Sequence, residues 1–235
     1  MTGSEQLIFP FPEKVDHAVE AFIVAPSNRH AFDWVDRWPD WPFTALVLVG
    51  PPGCGKTHLA SLWRERSGAA PIDLGTAGIE QAAALTADGQ PILVEDCDRV
   101  LSETQVDRAQ AERALLQLYN LAKAAGSRLL LTARQAPSLW PLQLPDLRSR
   151  LNSAMVVAID PADDELLRSV AAKLFGDKQV GVGDEVVSYL LSRSERTVAN
   201  VAQAIERLNT ISKTRQRPIT VPMAREALLQ SDDED

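Results

Sequence analysis

Leu46-Val47-Leu48-Val49-Gly50-Pro51-Pro52-Gly53-Cys54-Gly55-Lys56-Thr57 decides how the rest of the chain is read. A short apolar run leads into G-x-x-x-x-G-K-T, and a helix-like segment follows from His58 to about Arg66. Strand, glycine-rich turn and helix in that order make a phosphate-binding loop. Gly50, Gly53 and Gly55 permit dihedrals closed to residues with a Cβ, so successive N–H groups can curl around an anion. The following helix points its positive end at the same place. Lys56 is placed to reach β- and γ-phosphates, and the Thr57 hydroxyl to sit on Mg²⁺. Pro51, Pro52, Cys54 and His58 complete the candidate nucleotide-binding set.

Downstream, Pro91-Ile92-Leu93-Val94-Glu95-Asp96-Cys97-Asp98 is an apolar strand ending in acids. A carboxylate there can hold the hydration shell of Mg²⁺ or polarise an attacking water. Glu95 stands where Asp is usual, and Asp96 follows it. Glu95 and Thr57 are therefore the candidate metal ligands, with Glu95 and Asp96 as candidate catalytic acids. Arg128 to Thr132 reads as another buried strand. Thr132 is either a polar sensor of a terminal phosphate or an ordinary β-branched strand residue. Pro71 to Leu74 reads as a short strand, and Ile79 to Leu85 as a helix. Ala109 to Ala125 is an amphipathic helix, with Leu115, Leu116, Leu118, Leu121 and Ala122 near one side and Gly126 as its stop.

Leu144-Pro145-Asp146-Leu147-Arg148-Ser149-Arg150-Leu151 precedes a last strand, Ala154 to Ile159. Read alone, its arginines make a solvated basic turn. In a nucleotide-bound ring or dimer, this is where a guanidinium would enter a neighbour's site. After Asp160-Pro161 the pattern is helical only, at about 163–175, 184–193, 197–212 and 222–229. Before the phosphate loop, Phe22-Ile23-Val24 leads to Ser27-Asn28, good N-cap residues for a helix reaching about Trp38. Trp34, Trp38 and Trp41 read as the aromatic core of a helix over the nucleotide pocket.

Chain totals limit the function classes. The 235 residues suggest one domain, or a domain with a smaller partner. The formal net charge of −8 argues against the clustered basic face of a large nucleic-acid footprint, and so against sequence-specific DNA contact. Cys54 and Cys97 are too few for a disulfide framework and suggest a reducing, cytoplasmic setting. Neither a leader pattern nor a membrane-length apolar run is visible in the sequence. The first residues are not plain polar ends: Gln6-Leu7-Ile8-Phe9-Pro10-Phe11 displays four large apolar side chains between prolines that block helix. Such a peptide either tucks onto its own domain or docks in a partner's groove.

Phosphate loop, acidic strand, Thr-tipped strand, arginine segment and helical lid, in this order, resemble an AAA+ ATPase module. Ala21-Phe22-Ile23-Val24-Ala25-Pro26-Ser27-Asn28, Gly50 to Leu59, Leu118-Tyr119-Asn120 and Pro145-Asp146-Leu147-Arg148-Ser149-Arg150 are similar to boxes of the bacterial replication initiator DnaA. Gln6 to Phe11 resembles a sliding-clamp-binding motif, and no basic helix-turn-helix segment follows the lid. The combination resembles the Hda family, the DnaA-related regulatory inactivators.

The resemblance implies an α/β fold with a five-stranded parallel sheet between helices and a small all-α lid. It divides the chain into a clamp-binding peptide (1–13), an AAA+ core (14–160), a lid (161–230) and a disordered acidic tail (231–235). It implies that Gln6, Leu7, Ile8, Phe9, Pro10 and Phe11 bind the β-subunit clamp of DNA polymerase. ADP or ATP with Mg²⁺ is the implied cofactor. Arg150 becomes an arginine finger offered to ATP on DnaA. Arg196, one turn before Ala199 on the same helix, is expected to stand in for an absent lid arginine. Ala133-Arg134 replaces the family's acid after Thr132, so the chain's own hydrolysis is expected to be weak or nil. Self-association into a homodimer or higher homo-oligomer is also implied. A helicase-loader-like adaptor acting on single-stranded DNA or a helicase is the alternative, and a small-molecule kinase shares the phosphate loop alone.

Overall fold

The computed structural model describes residues 22–75, 89–103 and 106–229. The proposed clamp peptide, the helix expected at Ile79 to Leu85 and the acidic tail lie outside the described residues. Five strands form one sheet, each pairing in parallel: β1 (Ala45–Val49), β2 (Ala70–Ile72), β3 (Ile92–Val94), β4 (Leu129–Ala133) and β5 (Met155–Ala158), in the order β2-β3-β4-β1-β5. Parallel strands need crossovers, and helices supply them, so both faces of the sheet are covered.

Period-2 alternation sorts each strand between two cores. Ala45 and Val47, with Ile92, Val94, Leu129 and Leu131, face one core. The helices α3 (Cys97–Ser102), α4 (Arg108–Ala124) and α5 (Pro145–Asn152) pack there through residues such as Leu101, Leu115, Leu118 and Leu147. Leu46 and Leu48, with Leu93 and Leu130, face the other. That side is built from α1 (Arg29–Asp36) and α2 (Lys56–Ser67).

The tryptophans belong to this second core. Trp41 stacks on Trp63 with centroids 5.4 Å apart, and its indole N–H donates to the Trp34 carbonyl at 2.6 Å. They pack α1 and α2 together in that core; Phe22, not a tryptophan, lines the cleft beside the phosphate loop. Asn28 occupies the N-cap position of α1, but its side chain makes no bond to the helix. It instead accepts from Ala25 N–H at 2.8 Å and donates to the Ile23 carbonyl at 2.9 Å, pinning the preceding segment.

The arginine region departs from the solvated-turn reading, and the acidic strand stops at Val94, so that Asp98 lies on a helix. The segment read as a basic turn is the helix α5, started by Pro145 at its first position. A short helix, α3, follows the acidic strand directly, after Asp96 adopts a left-handed conformation at φ 53°. α4 ends before Gly126, which sits at φ 67°.

The lid is four helices: α6 (Asp164–Asp177), α7 (Asp184–Arg193), α8 (Val198–Arg215) and α9 (Val221–Leu229). They close a third core around Leu167, Phe175, Leu190, Ile205 and Leu208. Asp163 and Thr197 cap α6 and α8 with side-chain acceptors, as short polar residues at N-caps do. Among the described residues, no helix is long and apolar enough to cross a membrane.

Candidate functional site

The phosphate loop leaves the carboxyl end of β1, between β4 and β5, the end of an open parallel sheet where ligands bind. Gly55 caps α2 at φ 103°, a conformation that favours glycine. Lys56 is only 7% exposed. Its ammonium donates to the carbonyls of Gly50 at 2.7 Å and Pro51 at 2.8 Å. The lysine is thus folded onto its own loop, and a phosphate would have to draw it away from those acceptors. Thr57 is exposed at the start of α2.

Beside the loop lies a cleft of about 370 Å³, a size suited to small-molecule binding. Phe22, Ile23 and Asn28 line it from the pinned N-terminal segment, and Cys54, Gly55 and His58 from the loop and α2. Leu166, Val170, Lys173, Leu174 and Asp177 come from α6, and Val198 and Ala202 from α8. The His58 ring meets Phe22 edge-on at 5.4 Å. Desolvation and then the charge of Lys173 push the His58 pKa below the usual imidazole value, against an opposing Glu65. The site is therefore shared between core and lid. The lid residues lacked a sequence signal, because on an amphipathic helix the cleft-lining leucines look like core.

The lid also touches the loop directly. The Val198 N–H donates to the Gly53 carbonyl at 3.1 Å. A Cβ placed on Gly53 would lie 2.7 Å from the Thr197 Cβ. This contact puts the first turn of α8 on the phosphate-binding turn.

The acidic strand separates its carboxylates. Glu95 is half-buried and makes no side-chain hydrogen bond or ion pair among the described residues. Asp96 turns to Arg99, with Oδ2 3.3 Å from its Nε. Asp98 accepts from the backbone N–H groups of Arg134 and Gln135 at 2.9 and 3.0 Å, fixing the loop after β4. Thr132 is fully buried, and its hydroxyl accepts from Asp96 N–H at 3.0 Å. It ties the end of β4 to the end of β3 and offers no accessible surface to a phosphate. Cys97 is buried beside it, and burial raises its thiol pKa far above the ordinary value, so it stays protonated.

Among the described residues, no group of three or more His, Cys, Asp or Glu is arranged to hold a metal. Glu95 and Thr57, the expected Mg²⁺ ligands, make no side-chain hydrogen bond or ion pair among the described residues, whereas Asp96 is drawn to Arg99.

Arg196 departs from expectation. It lies before α8, outside the helix that holds Ala199, so the argument from a shared helical face does not apply. Its guanidinium pairs with Asp164, both side chains more than 60% exposed, at 64% and 61%.

Arg150 and Arg148 differ in kind. Arg148 donates to the Leu142 carbonyl. Arg150 is chelated by Asp146 one turn earlier, Nε to Oδ1 at 3.0 Å and Nη2 to Oδ2 at 3.1 Å. Its guanidinium carbon lies 5.7 Å from the centre of the Tyr119 ring. Asp146 is 56% exposed and Arg150 29%, so the pair sits on the surface of α5 and is not drawn into the core.

Residues 165–228 match the family described as "Hda, lid domain". The chromosomal replication initiator protein DnaA of Thermomicrobium roseum is 24% identical over 252 residues, covering 98% of this chain and 54% of the initiator. The chain thus spans about half the length of that curated relative. Domain III of the Thermotoga maritima initiator DnaA superposes with a TM-score of 0.73 at 17% identity, covering 94% of this chain and 98% of that structure. AMPPCP-bound DnaA from Aquifex aeolicus gives a TM-score of 0.62 at 18% identity, covering 84% of this chain and 68% of that one. The chain is thus similar in sequence to DnaA and shares the fold of DnaA domain III, with residues 165–228 matching the Hda lid family.

Proposed function

We propose that the chain is a clamp-tethered regulator of replication initiation that promotes hydrolysis of ATP bound to the initiator DnaA. Gln6, Leu7, Ile8, Phe9, Pro10 and Phe11 would occupy the groove of the DNA polymerase sliding clamp. The AAA+ core would then meet ATP-bound initiator and complete its active site with Arg150. A guanidinium placed against a transferred phosphoryl group contributes on the order of 10³–10⁵ in rate in other systems.

One observation carries this reading: Arg150 stands on the surface of α5, outside the residues that line the chain's own cleft. Its partner Asp146 is exposed, and an i,i+4 surface pair is worth only about 0.3–0.5 kcal/mol. A phosphate in a neighbouring site can outbid that pair. The match to the Hda lid and the similarity to the initiator support the same partner class.

In its own cleft the chain would hold ADP or ATP. Gly50 through His58 would surround the phosphates, and Thr57 with Glu95 would share Mg²⁺. Thr132 committed to Asp96, and Asp96 to Arg99, support a chain that binds nucleotide while hydrolysing it poorly. Nucleotide then acts as a conformational cofactor between core and lid. The protein would work in the cytoplasm and assemble with itself as a homodimer or higher homo-oligomer.

The test is a reconstitution with clamp loaded on DNA and ATP-bound initiator, following ATP loss. The full chain should accelerate hydrolysis; a chain lacking residues 1–12 should neither be retained by the clamp nor accelerate it. Equal acceleration by both chains, with the truncated one absent from the clamp, would remove the tether from the account.

A further inference from the structure

Glu112 is a carboxylate with no exposed surface, on the apolar stripe of α4 among Ala111, Leu115, Leu118 and Tyr119. Burying an ionised carboxylate is costly unless hydrogen bonds replace its water. Here three short contacts do so. The Gln143 N–H lies 3.0 Å from Oε1 and 2.9 Å from Oε2, and the Leu144 N–H lies 2.7 Å from Oε2. Leu144 is the N-cap residue of α5, and α5 has no side-chain cap of its own. A carboxylate on another helix therefore holds the N-cap amide of α5 and the amide before it, and it also faces the positive end of the α5 dipole.

α5 carries Arg150, and the same face of α4 meets it again. Tyr119 is seven residues after Glu112, two turns along one face. Its ring lies against the Arg150 guanidinium. Leu147 and Leu151, both fully buried, set the rotation of α5 about its axis. Those apolar contacts resist rotation, while Glu112 fixes where the helix begins. An apolar residue at 112 would fill the stripe at no desolvation cost, but it could not hold the two amides.

We propose that Glu112 is the positioning residue for Arg150, fixing the start of α5 so that the guanidinium meets a partner's nucleotide in register. This inference rests on the trans-acting role given to Arg150 above. A displacement of about 1 Å can cost on the order of a hundredfold in a rate that depends on geometry.

The experiment uses the full chain with DNA-loaded clamp and ATP-bound initiator, and compares Glu112→Gln, Arg150→Ala and the double variant. Glutamine keeps the volume but sets an amide N–H₂ group against the backbone donors. The maximal stimulated rate for Glu112→Gln should fall by roughly tenfold or more. The concentration giving half-maximal stimulation and the chain's own nucleotide affinity should stay within about twofold, since neither depends on where α5 starts. The double variant should be no worse than Arg150→Ala, because a residue acting through Arg150 has nothing left to lose.

A wild-type maximal rate in Glu112→Gln, or a double variant clearly below Arg150→Ala, overturns the proposal. Full activity in Arg150→Ala itself overturns the functional reading, and the proposal with it. Should Glu112→Gln fail to fold, Glu112→Asp, which keeps the charge one methylene short, is read by the same criteria.

Discussion

Thr197 of the lid lies against Gly53 of the phosphate loop, closely enough that a methyl group on the glycine would come within 2.7 Å of the Thr197 Cβ. The adjoining Val198 N–H donates to the Gly53 carbonyl. The loop that would hold phosphate and the helix that closes the cleft therefore share one contact. Through this contact, nucleotide held at the loop would bear directly on the lid.

Gly53→Ala tests that contact. Gly53 sits at φ 72°, where a Cβ costs roughly 1–2 kcal/mol even in open space. The clash with Thr197 adds to that strain. Nucleotide affinity should fall by about tenfold or more, the equivalent of 1.4 kcal/mol. Fluorescent-nucleotide titration measures it. A second variant, Thr197→Gly, removes the Cβ and Oγ1 at the contact and should restore part of the loss.

Lys56→Ala should act twice. The half-buried Gly50 and exposed Pro51 carbonyls lose their shared donor, at a cost of about 0.5–1.5 kcal/mol because water can partly replace it. The charge that would meet the phosphates also goes. Thermal melts read both effects: a lower Tm without nucleotide, and loss of the Tm rise on adding ADP or ATP. A preserved nucleotide-induced rise would contradict the assignment of the loop.

His58 gives a pH dependence whose sign follows from its environment. Its folded pKa lies below the ordinary imidazole value because burial, and then the charge of Lys173, disfavour the cation. Below about 6.5 the unfolded chain therefore binds more protons than the folded one, and stability rises with pH. The contribution is complete above that value and is lost as pH falls through the depressed folded pKa. Urea unfolding at pH 5.5 and 7.5 should show a smaller pH difference in His58→Gln than in the wild type.

Much of this was legible in the sequence because the signals are local. G-x-x-x-x-G-K-T needs only its own backbone, and the five apolar runs became five parallel strands. α4 was placed within one residue at each end, from its apolar stripe and Gly126. What the sequence hid is pairwise and distant. Asp146 sits among the arginines in plain view, yet their solvated look concealed that α5 is a helix with an internal Arg-Asp chelate. Thr132 is a polar residue at a strand tip, and only the structure shows its hydroxyl committed to Asp96 N–H. Arg196 lies three residues before Ala199, but Thr197 starts the helix between them, so spacing alone misled. One signal was available and unused: Glu112 breaks the apolar stripe of α4, and a charge on such a stripe asks for a partner.

The most direct test of the account is the rate of ATP loss from clamp-recruited initiator with Arg150→Ala. The variant should keep its own nucleotide affinity and its retention on the clamp, while stimulation drops by about a thousandfold or to the unstimulated rate. Stimulation equal to wild type, with clamp and nucleotide binding intact, would contradict the idea that Arg150 completes the initiator's site.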